Sequence, residues 1–194
     1  MIRYIPNIIT LSRVVLTPLM IYFMLFEKNY IFAFIVFVIA SITDFFDGRM
    51  ARKYNIESRV GVFIDPLADK LLIMSAFISF LFIDDIGGRQ IVSVWMIVMI
   101  SFRDILVTLI RIIMESKGVT MVTSKVAKLK TFLQIKTIIV LFLYLQSGGY
   151  MSYDYVIIIM KSLMVVTTLI TFYTGVHYFR YNYKTIVDIF AISD

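Results

Sequence analysis

The chain has 194 residues, of which 60% are hydrophobic and 16% are charged, and its mean hydropathy is +0.90. This composition excludes an ordinary water-soluble domain and favours helices that cross a lipid bilayer. The sequence has no cysteine and one histidine, which excludes disulfides, thiolate metal sites and metal sites built from several histidines. The net charge of +6 does not indicate nucleic acid binding, because the basic residues lie in loops and at the ends of apolar segments, where anionic lipid headgroups and phosphates bind.

Six apolar segments are long enough to cross a bilayer, for which about 20 residues are needed. They are Pro6–Phe26, Tyr30–Arg52, Ser58–Ile83, Ile91–Met114, Val126–Gln146 and Tyr155–Arg180. Their connections are short, so consecutive helices should be antiparallel neighbours. We therefore predict an all-α integral membrane protein with a bundle of six transmembrane helices, in a single domain that covers residues 1–194. Pro66 predicts either a kink in the third helix or a helix start after a cap at Asp65.

Lysine and arginine are concentrated at one end of these segments. They are frequent in the loops around 49–59 and 115–130 and near the C-terminus, whereas only Lys28 and Arg89 lie at the opposite end. The positive-inside rule places the basic end in the cytoplasm. The sequence therefore predicts that both termini are cytoplasmic.

The first segment opens with a short polar pattern. Pro6 is tolerated in the first turn of a helix, and Asn7, Thr10 and Arg13 are spaced so that they can share one face. Taken alone, the pattern favours a helix start with one arginine that extends toward the interface. The alternative is a polar binding face.

Four aspartates lie at the basic ends of the second and third segments. Asp44 and Asp47 are spaced i, i+3, and Asp65 and Asp69 are spaced i, i+4, so each pair shares a helix face. In antiparallel helices the two pairs lie at matching depth, just inside the cytoplasmic boundary. Acidic side chains beside apolar membrane sequence are costly and indicate a function.

Four carboxylates that face one another repel unless cations lie between them. An all-oxygen ligand set favours Mg²⁺ or Mn²⁺, and four shared carboxylates suffice for two ions, the arrangement used for in-line displacement at phosphorus. The alternative is a solvated loop in which the acids pair with nearby basic residues. The acids, however, recur turn by turn inside apolar helices while the basic residues lie mainly beyond them, which favours metal binding.

The same stretch resembles the signature of the CDP-alcohol phosphotransferase family. That motif reads Asp-x2-Asp-Gly-x2-Ala-Arg-x8-Gly-x3-Asp-x3-Asp, and the chain matches every fixed position from Asp44 to Asp69. The run from Pro6 to Arg13 is similar to the opening of the same family. The resemblance implies an enzyme of a bacterial-type cell membrane that displaces CMP from a CDP-linked lipid at a cytoplasmic active site, and it suggests a homodimer.

The resemblance also implies roles for individual residues. The metal ions would be bound by Asp44, Asp47, Asp65 and Asp69. Asp69 would in addition act as the catalytic base toward the acceptor hydroxyl. The CDP-lipid would be bound by Asn7, Ile8, Ile9, Thr10, Gly48, Arg52 and Ser58.

Further charges lie in the fourth segment and at the start of the fifth. Charges at membrane depth should face the bundle interior, and Asp104 is expected to form an ion pair with one of the arginines of its segment. The remaining positive charge predicts a pocket for an anionic acceptor. The residues of this predicted pocket are Arg103, Arg111, Lys125, Lys128 and Lys130. For the three lysines, an ordinary cytoplasmic anchor is the alternative.

The stretches Arg103–Arg111 and Ser124–Thr131 resemble family members that use sn-glycerol 3-phosphate. They imply transfer of a phosphatidyl group from CDP-diacylglycerol to glycerol 3-phosphate, giving phosphatidylglycerophosphate and CMP. An inositol phosphate acceptor fits the charge equally well. A cation- or proton-coupled transporter would need carboxylates near the membrane midplane or on both sides, and a non-catalytic scaffold would gain nothing from four buried acids.

Overall fold

The structure is a computed structural model that describes the backbone of residues 5–54, 59–116, 125–147 and 153–191, and the side chains of 13–43, 70–114, 129–147, 153–183 and 187. Over these residues the fold is all-helical and has no strand. The α-helices are α1 (Ile5–Leu25), α2 (Tyr30–Tyr54), α3 (Arg59–Leu81), α4 (Val94–Ser116), α5 (Lys125–Gln146) and α6 (Asp154–Ala191). Each of the six predicted segments therefore forms a helix.

The third and sixth helices differ from the predicted segments in their extent. α3 runs without interruption from Arg59 to Leu81, so Pro66 lies within the helix and does not follow a cap. α6 continues to Ala191, well beyond the predicted end at Arg180. At about 1.5 Å per residue, its 38 residues are longer than the hydrocarbon core of a bilayer, which is about 30 Å thick.

The fourth helix begins at Val94, three residues later than predicted, because the chain between α3 and α4 is compact but not α-helical. Residues Asp84–Gly88 form one turn of π-helix, and Gln90 has a left-handed φ of 56°. A Cβ atom on Gly87 would lie 1.8 Å from the carbonyl oxygen of Leu81. Only glycine fits this turn, which brings the chain back over the end of α3.

The helices pack around an aromatic cluster in the centre of the bundle. Phe142 of α5 lies against Phe34 and Phe37 of α2 and Phe80 of α3, with ring centroids 5.5, 5.9 and 5.0 Å apart. Aromatic pairs of this kind contribute about 0.5–1.5 kcal/mol each beyond the area that they bury. They hold α5 against the α2–α3 pair, while α1 packs on α2 and α3, and α6 packs on α4 and α5.

The outward faces of the helices are apolar. On α4 and α6, for example, Phe102 is 65% exposed and Phe172 is 50% exposed. Broad apolar surfaces of this kind are typical of membrane contact. Among the described residues, Leu129–Gln146 in α5 and Asp154–Tyr183 in α6 are long and apolar enough to cross a membrane, and shorter apolar stretches lie in α1, α2 and α3.

Candidate active site

The four predicted metal-binding aspartates are divided between two helices that touch each other. Asp44 and Asp47 belong to α2, and Asp65 and Asp69 belong to α3. Because only residues 55–58 separate the two helices, the end of α2 and the start of α3 are neighbours. The side chains of the four aspartates lie outside the described residues, so metal binding stays a prediction.

The predicted lipid-binding residues approach the same end of the bundle from a third helix. α1 packs on both α2 and α3, and its first turns contain residues 7–10, whereas Gly48 and Arg52 lie in the last turns of α2. The backbone of this predicted set is described except at Ser58. The side chains lie outside the described residues; they belong to Asn7, Ile8, Ile9, Thr10, Gly48, Arg52 and Ser58. The short connections between these helices place the stretches at the same end of the bundle, and their contact with a lipid stays a prediction.

A buried charged cluster connects α4 to α5, and Asp104 is its centre. The Asp104 carboxylate is 1% exposed and accepts hydrogen bonds from Arg103 Nη1 at 3.2 Å, from Gln134 Nε2 at 3.2 Å, and from Lys130 Nζ. The predicted ion pair between Asp104 and an arginine is confirmed. Buried charges are tolerated when they are paired and hydrogen-bonded in this way.

Lys130 belongs to the predicted acceptor pocket, and it forms an ion pair across the α4–α5 contact. It is 3% exposed and bound to Asp104. An ammonium group has three N–H donors, and the described contacts use one of them. Lys130 therefore has a structural partner, and its contact with an acceptor stays a prediction. Lys125 and Lys128 lie in the first turn of α5, with side chains outside the described residues.

The polar residues that extend this cluster toward α6 were not predicted from the sequence. Gln134 is fully buried and lies 3.5 Å from the hydroxyl of Thr171, and the hydroxyls of Thr137 and Thr167 lie 2.8 Å apart. The spacing provided a signal, because Lys130, Gln134 and Thr137 repeat at the helical period in an apolar segment, as do Thr167, Thr171 and Thr174. Polar side chains of this kind hydrogen-bond between helices in membranes.

Gly175 allows α6 to approach α4 closely at this point. A Cβ atom at residue 175 would lie 2.8 Å from Cγ of Arg103, so any other residue would force Arg103 or α6 to shift. Gly175 itself is buried. The glycine therefore lets the aliphatic part of Arg103 lie flat against α6.

Two arginines of α4 have hydrogen-bond donors that no described residue satisfies. Nε and Nη2 of Arg103 and Nε of Arg111 are buried and have no partner within the described part of the chain. Buried donors without partners are costly, and an anionic oxygen is a strong acceptor for them. Both arginines lie on one face of α4, as predicted, and are about 12 Å apart along its axis.

The charged cluster is close to the helix that contains two of the aspartates. Lys70, the residue after Asp69, is near enough to Asp104 and Lys130 for electrostatic interaction with both, and α3 contacts α4 and α5. The predicted acid site and the predicted basic pocket are therefore neighbours within one bundle.

Asp104→Asn is expected to lower the free energy of unfolding by about 3–5 kcal/mol, because it leaves Lys130 and Arg103 buried without an anion. SDS titration of the protein in detergent micelles measures this change. Asp85→Asn is the matched control, since Asp85 forms an exposed pair with Arg89 at 3.9 Å and should cost no more than about 1 kcal/mol. Equal effects of the two substitutions would contradict a stabilising role for the buried cluster.

Comparison with known proteins agrees with the motif. The sequence profile of the CDP-alcohol phosphatidyltransferase family matches residues 3–176. The chain therefore belongs to this family, in line with the resemblance of the aspartate motif.

Curated relatives cover between two thirds of this chain and nearly all of it. A CDP-diacylglycerol–glycerol-3-phosphate 3-phosphatidyltransferase of Rickettsia typhi is 34% identical over 182 residues, which is 92% of this chain and 96% of the relative. The Bacillus subtilis protein of the same name is 30% identical over 195 residues, or 93% and 96% of the two chains. A probable phosphatidylglycerophosphate synthase of Mycobacterium tuberculosis is 36% identical over 138 residues, or 69% of this chain and 63% of the relative.

Proposed function

We propose that this phosphatidyltransferase moves the phosphatidyl group of CDP-diacylglycerol to sn-glycerol 3-phosphate, giving phosphatidylglycerophosphate and CMP. The observation on which the proposal chiefly depends is the complete aspartate motif on two adjoining helices, beside a buried cluster with unsatisfied arginine donors. The relatives that match over more than 90% of this chain are named for the same reaction.

The acceptor hydroxyl attacks the lipid-side phosphorus of the donor, and CMP leaves. Asp69 accepts the proton of that hydroxyl, since it is a carboxylate of the motif and the one histidine, His177, lies on α6. Arg103, Arg111, Lys125, Lys128 and Lys130 supply positive charge for the phosphate of the acceptor. Asn7, Ile8, Ile9, Thr10, Gly48, Arg52 and Ser58 hold the nucleotide and diphosphate.

The residues at the acid site fit a pair of Mg²⁺ or Mn²⁺ ions. The donor set consists of four carboxylates, Asp44, Asp47, Asp65 and Asp69, on two helices in contact, and hard oxygen ligands suit these metals. Bound ions would offset the negative charge of the diphosphate and polarise it. The aspartates thereby orient the donor, and most of the rate gain would come from charge and alignment.

We further propose a bundle of six transmembrane helices with both termini and the active site on the cytoplasmic side of a bacterial-type membrane. Basic residues at the end of α2 and the start of α5, and Lys117 directly after α4 in the sequence, support this orientation through the positive-inside rule. The lipid tails would then stay in the bilayer while the water-soluble acceptor enters from the cytoplasm. A homodimer is proposed on the family resemblance alone.

Purified protein incubated with CDP-diacylglycerol, Mg²⁺ and single labelled acceptors tests the reaction. CMP release with glycerol 3-phosphate, and formation of a labelled lipid, are the expected results. Greater turnover with an inositol phosphate in direct competition would show that inositol phosphate, and not glycerol 3-phosphate, is the acceptor. Cation transport by reconstituted vesicles without CMP release would favour a transporter.

Arg111→Ala is expected to raise the apparent KM for glycerol 3-phosphate by about 10- to 100-fold, because a lost charge-assisted contact with phosphate costs about 1.5–3 kcal/mol. The KM for CDP-diacylglycerol should change little. Arg89→Ala is the control, since Arg89 lies in the connection before α4 and is exposed. An equal rise in both KM values for Arg111→Ala would assign this residue to the fold or to the nucleotide.

A further inference from the structure

A cavity of about 270 Å³ lies between α1 and α3. Its walls are largely apolar, and the Thr17 hydroxyl is already bonded to the carbonyl oxygen of Arg13 at 2.8 Å. Pro18, inside α1, has no N–H to donate to the Val14 carbonyl. The lining residues are Arg13, Val14, Thr17, Pro18 and Ile21 of α1 and Leu71 and Ser75 of α3.

The cavity begins where the predicted active site ends. On α1, the predicted donor-binding residues 7–10 precede the lining residues, and Thr17 lies two turns, or about 10 Å, beyond Thr10 on the same helix face. On α3, Asp65 and Asp69 precede Leu71 and Ser75. On both helices the predicted nucleotide and metal residues therefore lie at the same end of the cavity.

Only four residues separate α1 from α2 and α2 from α3, so α2 is expected to be antiparallel to both, and α1 and α3 to run in the same direction. Moving along either helix from the active-site residues leads into the cavity and then into the apolar part of the bundle. The lining is almost entirely apolar. An apolar cavity next to a polar site for a diphosphate matches a phospholipid, whose headgroup is followed by hydrocarbon chains.

We propose that this cavity holds the ester-linked first part of an acyl chain of the CDP-diacylglycerol donor. The inference rests on the proposed function, because it places the diphosphate of that lipid at the aspartates. The apolar walls that Val14, Ile21 and Leu71 form are suited to the hydrocarbon of this chain. Filling the cavity should therefore impair use of the donor and leave the acceptor unaffected.

A second apolar groove, of about 230 Å³, lies between α4 and α6 and is lined by residues that include Phe102, Leu106 and Phe172. It is formed by helices that contain none of the motif aspartates. A chain anchored by its diphosphate at α2 and α3 is better placed to enter the α1–α3 cavity. The second groove provides the alternative outcome in the experiments below.

Two adjacent valines of α1 provide a matched pair of variants. Val14 lines the cavity and is 47% exposed, whereas Val15 is 63% exposed and is not part of the lining. Val14→Trp is expected to raise the apparent KM for CDP-diacylglycerol in mixed micelles about tenfold, a loss typical of a blocked hydrophobic pocket. Its KM for glycerol 3-phosphate should stay constant, and Val15→Trp should leave both values near those of the wild type.

Photocrosslinking of the unmodified protein keeps the inference testable if Val14→Trp does not fold. CDP-diacylglycerol with a diazirine near the ester of one acyl chain should label peptides that contain residues 13–21 or 71–75. Unlabelled CDP-diacylglycerol should compete with this labelling, and excess phosphatidylcholine should not. Labelling of Phe102 or Phe172 peptides instead, or equal competition by phosphatidylcholine, would overturn the inference.

Donor crosslinking and CMP release distinguish a failure of the proposed reaction from a failure of the cavity assignment. A wild-type protein that binds and crosslinks the donor at this cavity but releases no CMP with glycerol 3-phosphate would refute the proposed reaction alone. Normal CMP release by the wild type, together with equal behaviour of the Val14→Trp and Val15→Trp variants, would refute the cavity assignment alone.

Discussion

Asp69→Asn is expected to lower kcat by at least about 100-fold, the lower limit for the loss of a general base. Asp69 is the second acid of α3, one turn beyond Asp65, and it lies next to Lys70, which is within electrostatic range of the Asp104–Lys130 pair. This position on α3 supports the proposal that Asp69 is the base for an acceptor bound near that pair. Asparagine has the same shape but cannot accept the proton of the acceptor hydroxyl.

The loss should fall on turnover more than on donor binding, because an asparagine oxygen can still contact a metal ion. Both quantities are measured on one purified variant, by CMP release and by equilibrium binding of labelled CDP-diacylglycerol. Asp154→Asn is the matched control, since Asp154 is exposed at the first turn of α6 and should have no effect on turnover. A kcat near that of the wild type for Asp69→Asn would show that another group is the base, with Asp44 or a metal-bound hydroxide as the candidates.

Removal of divalent cations with EDTA is expected to abolish activity, and Mg²⁺ or Mn²⁺ should restore it. The physical reason is charge, since four neighbouring carboxylates and a diphosphate cannot share one site without cations between them. Asp44→Asn and Asp65→Asn should each raise the metal concentration needed for half-maximal activity. Full activity in the presence of the chelator would remove the basis of the proposed chemistry.

A stability measurement separates metal binding from catalysis. A ligand that binds only the folded protein raises its stability by about 2.7 kcal/mol at a concentration 100 times its Kd, so Mg²⁺ should raise the melting temperature of the wild type. The rise should be smaller for Asp65→Asn. Asp84→Asn is the control, because Asp84 lies in the exposed π-helical turn at the far end of α3.

The sequence alone determined the helices and the chemistry of their ends. Runs of about 20 apolar residues form helices in lipid because only internal hydrogen bonds satisfy the backbone there, and each predicted segment is a helix in the structure. The spacing of Asp44, Asp47, Asp65 and Asp69 was readable because the helical period fixes which residues share a face. The same motif also led to the family that the comparisons identify.

Only the tertiary structure decided which faces of these helices meet. The segments are apolar on nearly every side, so hydropathy does not specify the rotation of each helix about its own axis. The ion pair of Lys130 with Asp104, the contact of Gln134 with Thr171 and the α1–α3 cavity all depend on that rotation. The close approach of α6 at Gly175 depends on it as well, because interhelical packing in lipid is set by side-chain shape and buried hydrogen bonds rather than by the hydrophobic pattern.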